Sequence, residues 1–224
     1  MKKDKFNIII NGENNYDSVL IFCHGLGDNS SSWIYFANQI KKKFNKLKIV
    51  LLQAPNNPVL INNNMIMPSW FDITEFPITK NYVDNGKYMN ESFKIIHNNI
   101  DKEIENGILP KNIFIGGFSQ GGALSLISGL KYDKEKIGGI IIMSGWIFSN
   151  TTLFDNYYEK DIPIFIGHGD NDKVVLYDCA EKLNNILINK KFSKVTFKKY
   201  NNMSHNSSNK EIDDIIDWLK NFII

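Results

Sequence analysis

Gly116-Gly-Phe-Ser-Gln-Gly-Gly122 decides how this chain is read. It follows Asn112-Ile-Phe-Ile115, a short apolar run with the character of a buried strand. It opens Ala123-Leu-Ser-Leu-Ile127, which has the character of the first turns of a buried helix. Within it, Gly117-Phe-Ser119-Gln-Gly121 has the G-x-S-x-G spacing of a nucleophile elbow. That pattern carries weight only where strand, sharp turn and helix surround it, and here they do. The requirement is steric: the turn holds the serine in a strained conformation with its hydroxyl exposed, and the closely packed backbones on either side leave room only for glycine. The plain alternative is a glycine-rich turn with an incidental serine. A base, an orienting acid and an oxyanion site elsewhere in the chain decide between the two.

Outward from the elbow, apolar runs alternate with helical periodicity. Upstream, Phe6 to Ile10 and Ser18 to Cys23 read as strands around the turn signal Asn11-Gly12, which predicts an antiparallel hairpin at one sheet edge. Ser30 to Phe44 reads as a helix, Lys48 to Leu52 as a buried strand, and Met89 to Glu105 as an amphipathic helix ended by Gly107. Downstream, Gln120 to Leu130 reads as a helix, Ile137 to Met143 and Ile162 to Ile166 as buried strands, Val175 to Ile188 as a helix, and Val195 to Tyr200 as a last strand. Ser208-x-x-Glu211 is a capping-box pattern introducing a final helix with Ile212, Ile215, Ile216 and Leu219 on one face. Ala54 to about Asp84 has no clear periodicity and holds four of the six prolines. A loop of that length in a compact domain is usually functional or disordered, and the apolar Ile66, Met67, Trp70, Phe71 and Phe76 speak against disorder. The alternation predicts one domain over residues 1–224, an α/β fold with a mainly parallel central sheet and helices on both faces.

In such sheets reactive residues gather beyond the carboxyl ends of strands. Folds with this elbow run serine, then Asp or Glu, then histidine along the chain. Of the four histidines, His24 and His97 precede Ser119; His24 reads as a loop residue held by hydrogen bonds and His97 as a solvated helix residue. His168 sits in a tight Gly-His-Gly segment, whereas His205 lies between the last strand and the last helix, where the base belongs. Asp170 and Asp172 both follow a buried strand directly, and spacing does not decide between them. An oxyanion site needs two preorganised N–H donors. The backbone of Gln120 supplies one, and the loop His24-Gly-Leu-Gly27 offers the Leu26 amide as the second.

Composition excludes other classes. The formal net charge is +2, and the longest basic run, Lys41-Lys-Lys43, fits a helix end, so no nucleic-acid partner is expected. All 26 basic residues are Lys, so guanidinium capture of phosphate or carboxylate is impossible. H-E-x-x-H and G-x-G-x-x-G are absent, so neither a metal nor a cofactor is expected. Cys23 and Cys179 form no C-x-x-C and read as buried thiols. The apolar run after Met1-Lys-Lys-Asp-Lys5 is too short for a signal peptide, and no stretch approaches the roughly 20 apolar residues of a bilayer span. A cytoplasmic protein is the expectation.

Six ordered segments together carry a family resemblance: His24-Gly-Leu-Gly-Asp28, Pro55-x-x-Pro58-Val, Met67-Pro-Ser-Trp-Phe-Asp72, Gly116 to Ser125, His168-Gly-x-x-Asp172 and Met203-x-His205. Over nearly its whole length the chain resembles the acyl-protein thioesterases and lysophospholipase-like carboxylesterases, which have the α/β-hydrolase fold. The resemblance implies hydrolysis of long-chain acyl thioesters on protein cysteines, or of related lipophilic esters, without a cofactor. It implies transient contact with membrane surfaces at most. It also implies Ser119, Asp172 and His205 as a triad, choosing Asp172 over Asp170, and Leu26 and Gln120 as the oxyanion pair. By the same resemblance Trp146 and the Ile66 to Trp70 loop line an acyl channel, with Val174 nearby. Two departures bear on that channel: Ile147-Phe148 stands where the family often has Leu-Pro, and Val175-Leu176 where it often has Val-Pro. The N-terminal cysteine that some members acylate is also absent.

Overall fold

The computed structural model describes residues 7–10, 16–152 and 160–223. Its centre is a seven-stranded sheet built from β1 (Ile8–Ile10), β2 (Ser18–Cys23), β3 (Leu47–Leu52), β6 (Ile113–Phe118), β7 (Gly139–Met143), β8 (Ile164–Gly169) and β9 (Val195–Tyr200). The strand order is β1-β3-β2-β6-β7-β8-β9, and every pairing except β1 with β3 is parallel. Side chains of β2 divide by period two. Val19, Ile21 and Cys23 join the core on one face, where α2 (Met89–Glu105), α3 (Gln120–Lys131) and α4 (Tyr177–Asn189) pack. Leu20 and Phe22 join the other, with α1 (Ile34–Lys41) and α5 (Asn209–Leu219).

The expected antiparallel strand is at the sheet edge, but its partner differs from the hairpin reading. β1 pairs with β3, Ile8 opposite Leu51 and Ile10 opposite Ile49. β2 is unavailable to it, because β3 and β6 occupy both of its edges. The residues report this: all six of β2 are buried, as in an interior parallel strand, whereas Ile9 is 50% exposed. The Asn11-Gly12 turn lies outside the described residues.

The stretch read as one long loop contains a second, two-stranded sheet. β4 (Asn56–Val59) and β5 (Met65–Pro68) form an antiparallel hairpin, with Val59 opposite Met65. At its turn Asn63 and Asn64 take positive φ of 53° and 59°, a conformation asparagine tolerates better than other residues with a Cβ. The Ser30–Phe44 helix is shorter than expected: a 3₁₀ turn over Ser30–Trp33 precedes α1, and Asn29 caps that turn through its side chain.

Candidate active site

The elbow is a backbone construction. Ser119 has φ 55° and ψ −119°, between the end of β6 and the start of α3. A non-glycine residue held there costs on the order of 1–3 kcal/mol, and the surrounding structure must impose it. Here the Ser119 N–H donates to Met143 O (2.8 Å) and the Ser119 carbonyl accepts the Ala123 N–H (3.0 Å). A Cβ on Gly121 would overlap the carbonyl oxygen of Cys23, and one on Gly117 would overlap the Gly121 backbone. The two glycines let β2, β6 and α3 approach closely enough to tip the serine side chain into the cleft.

Beyond the strand ends, three side chains meet. His205 Nε2 is 2.9 Å from Ser119 Oγ, and His205 Nδ1 is 2.6 Å from Asp172 Oδ2. The network assigns the tautomer: Nδ1–H donates to the carboxylate, leaving Nε2 to accept the serine proton. Asp172 is buried, and its Oδ1 accepts the N–H groups of Val174 and Val175, each at 2.9 Å. Burial raises the Asp172 pKa, but hydrogen bonds from His168 and His205 outweigh it, so the carboxyl is held well below its usual range. Asp170 does other work. Its Oδ1 accepts the Asn202 N–H at 2.7 Å and its Oδ2 faces Lys199 at 3.3 Å, tying the β8 end to the turn after β9.

The loop facing Ser119 is equally constrained. His24 is buried, and its Nε2 accepts the Ala54 N–H (3.1 Å), so the proton sits on Nδ1 and is donated to Gly25 O (2.7 Å). Burial lowers the His24 pKa, which keeps this neutral tautomer. Gly25 O and Leu26 N–H belong to one peptide plane, so fixing the carbonyl also fixes the direction of the N–H. The Gln120 N–H lies in the first turn of α3, where a helix has no internal acceptor for it.

These groups border a cavity of about 430 Å³ lined by Gly25, Leu26, Gly27, Ser119, Gln120 and His205 on its polar side, and by Met67, Ile73, Phe76, Phe118, Trp146 and Val174 on its apolar side. Two larger clefts of about 620 and 590 Å³, one along the β9–α5 connection and one beside Leu109 and Phe222, exclude Ser119. Trp146 closes the cavity against an aromatic cluster, its ring centroid 6.0 Å from Phe71, 6.0 Å from Tyr82 and 6.3 Å from Phe148.

Two expected channel residues lie elsewhere. Trp70 is fully buried behind the cavity wall, and Ile66 is 71% exposed on the outer face of the hairpin; neither lines the cavity. Within β5 it is Met67 that reaches the cavity while Ile66 faces outward, and Trp70 lies past the strand's end, where its indole N–H is held by the carbonyl of His24. His97 also departs from expectation: it is half-buried and bridges α2 to α3 through a hydrogen bond to Ser128 O (2.9 Å). Sequence reading missed Phe118, whose ring lies 4.8 Å from that of His205, and the approach of His168 to Asp172. No local signal marks Phe118, since any residue fits that position of the elbow. The Gly-His-Gly-x-x-Asp spacing was the available cue for His168. Among the described residues no cluster of His, Cys, Asp and Glu could hold a metal ion, and no helix is long and apolar enough to cross a membrane.

Comparison with known proteins fits this geometry. The phospholipase/carboxylesterase family model matches residues 4–223. Acyl-protein thioesterase 1 of Cryptococcus neoformans var. neoformans serotype D (strain JEC21) is 36% identical over 219 residues, covering 91% of this chain and 92% of that protein. Carboxylesterase SOBER1 of Arabidopsis thaliana is 36% identical over 208 residues, covering 91% and 90%. The SOBER1 crystal structure superposes with a TM-score of 0.85 at 34% identity, covering 92% of this chain and 99% of that one. The crystal structure of Zea mays acyl-protein thioesterase 2, 23% identical, shares the fold with a TM-score of 0.80 over 97% and 99%. The α/β-hydrolase sheet and the match along nearly the whole chain place this protein in the phospholipase/carboxylesterase family.

Proposed function

We propose that this esterase-family protein hydrolyses long-chain acyl thioesters on protein cysteines through a Ser119 acyl-enzyme. One observation carries the reading: Ser119, His205 and Asp172 stand in hydrogen-bonded series, 2.9 and 2.6 Å apart, at the mouth of a partly apolar cavity. Ser119 Oγ attacks the acyl carbon while His205 Nε2 takes its proton. Asp172 holds the imidazole and stabilises its cation. The oxyanion accepts the Leu26 and Gln120 N–H groups. Collapse expels the thiolate or alkoxide, which takes the proton from His205 and returns the imidazole to its neutral, basic form. Water, deprotonated by His205, then attacks the acyl-enzyme and restores Ser119. No step calls for a cofactor. Val174 and Trp146 serve as acyl-contact residues in this reading, supported by their place in the cavity wall; the 64% and 71% exposed Met65 and Ile66 support brief contact with a membrane surface that presents acylated substrates. Two unpaired, buried cysteines support a cytoplasmic setting.

A second reading, a carboxylesterase for small lipophilic oxyesters or lysophospholipids, is favoured by the aromatic cluster that ends the cavity behind Trp146. Comparing kcat/KM for a palmitoylated peptide thioester, a butanoate oxyester and a lysophospholipid separates the two. A thioester rate negligible beside the oxyester rate would discard the first reading.

A further inference from the structure

Behind the cleft, the residue after the nucleophile does more than present its backbone. Gln120 is fully buried, and its carboxamide makes three hydrogen bonds to the segment that follows β5. Oε1 accepts the Trp70 N–H (3.0 Å), and Nε2 donates to Phe71 O (2.7 Å) and to Ser69 Oγ (3.1 Å). Trp70 then extends the chain of contacts: its indole Nε1–H donates to the carbonyl of His24 at 2.8 Å. On the other side of Leu26, the Gly27 N–H donates to Pro68 O, also at 2.8 Å. The backbone on both sides of Leu26 is thus tied to the Pro68–Trp70 segment, and that segment is tied to Gln120.

We infer that Trp70 and the Gln120 side chain are positioning residues that set the separation of the Leu26 and Gln120 amides, and so couple the β4–β5 hairpin to oxyanion stabilisation. This rests on the reading of those two amides as the oxyanion donors. Buried polar groups need partners in any fold, so satisfied hydrogen bonds alone would be unremarkable. What singles out this set is convergence: one carboxamide and one indole tie the Pro68–Trp70 segment both to Gln120 and to the backbone on either side of Leu26. Donors for a developing charge must stand within a few tenths of an ångström of their place, and misplacement by about 1 Å costs on the order of 100-fold in rate.

The test uses Gln120→Met, which removes all three carboxamide bonds, and Trp70→3-benzothienylalanine, which keeps the ring shape and exchanges only the N–H for sulfur. Each is assayed on a p-nitrophenyl butanoate and its thionoester, in which a weakly accepting sulfur replaces the carbonyl oxygen, with active sites counted by fluorophosphonate titration. The expected result is a fall in kcat per active site of about 10-fold or more with KM within about twofold, and a parallel fall in the preference for ester over thionoester. A purely structural role would lower the melting temperature or the titratable fraction while leaving kcat per active site and that preference intact; this result overturns the inference. If Gln120→Met does not fold, the isosteric Trp70 variant decides alone. Absence of any ester preference in the parent would instead overturn the oxyanion reading, and this inference with it.

Discussion

His168 and His205 converge on one atom. Both approach Oδ2 of Asp172, His205 through Nδ1 at 2.6 Å and His168 through Nε2 at 3.4 Å. His168 is fully buried, and its Nε2–H is shared with Val175 O at 2.9 Å. Its Nδ1 has no partner among the described residues. The carboxylate is therefore enclosed by donors on every side: two backbone amides on Oδ1 and two imidazoles on Oδ2.

His168→Phe removes one of the donors that hold the Asp172 carboxyl below its usual range. A carboxyl depressed in the folded state stabilises above its unfolded pKa of about 3.9 and loses that contribution as pH falls. Urea unfolding should therefore show the variant less stable than the parent at pH 7, with a gap that stays constant down to about pH 4 and narrows only below it, where the depressed folded-state carboxyl takes up its proton. kcat should drop by about 10-fold or more, because a looser Asp172 holds His205 less well. A stability gap as large well below pH 4 as at pH 7 would contradict this account of His168.

Glu211 gives the opposite sign. The capping box at the start of α5 is half formed: Ser208 Oγ accepts the Glu211 N–H at 3.2 Å, but the Glu211 carboxyl is buried against Gly167 with neither oxygen hydrogen-bonded among the described residues. Burial pushes its pKa up to about 8. With an unfolded pKa near 4.3, the folded state binds the extra proton, so stability is fully present below about pH 4 and is lost as pH rises toward 8. Glu211→Gln should flatten that slope, gaining about 3–5 kcal/mol on the parent at pH 8 relative to pH 4. Denaturant titrations at pH 5, 6.5 and 8 measure it; parallel curves for the two proteins would refute it.

Much of this molecule was readable from its residues, and the unread parts have physical causes. Interior strands announced themselves because a parallel strand buried on both faces is a continuous apolar run, as in Ile140-Ile-Ile-Met143. α2 and β9 fall on the expected residues, because a long 3.6 period and a run bounded by turn residues are local signals. The hairpin around Asn63 was not legible: its strands are four residues each, contain Pro58 and Pro68, and are mostly half-buried or exposed with no period of two, so neither alternation nor burial marks them. The partner of β1 was not legible either, since which strand edge remains free is a property of the whole sheet. The order of Ser119, an aspartate and His205 was plain from the chain, but the choice between Asp170 and Asp172 came only with the family resemblance. In the structure the two point in different directions, Asp170 to Asn202 and Asp172 to His205.

Trp146→Ala should lengthen the acyl group the cavity accepts. Its indole N–H has no partner among the described residues, so the change removes a ring and breaks no hydrogen bond described for it. In a series of p-nitrophenyl esters from acetate to palmitate, the kcat/KM optimum should move to longer chains, at a cost of about 3–5 kcal/mol in stability. An unchanged chain-length profile would show that the acyl group runs elsewhere.

The central claim is that Ser119 carries the acyl group. Incubation of the protein with an ester substrate at low pH, followed by rapid quench and peptide mass spectrometry, should find the acyl mass on the peptide containing Ser119, and Ser119→Ala should lose that adduct together with at least about 10⁴-fold in kcat. An adduct on another residue, or a Ser119→Ala variant that turns over like the parent, would contradict the account.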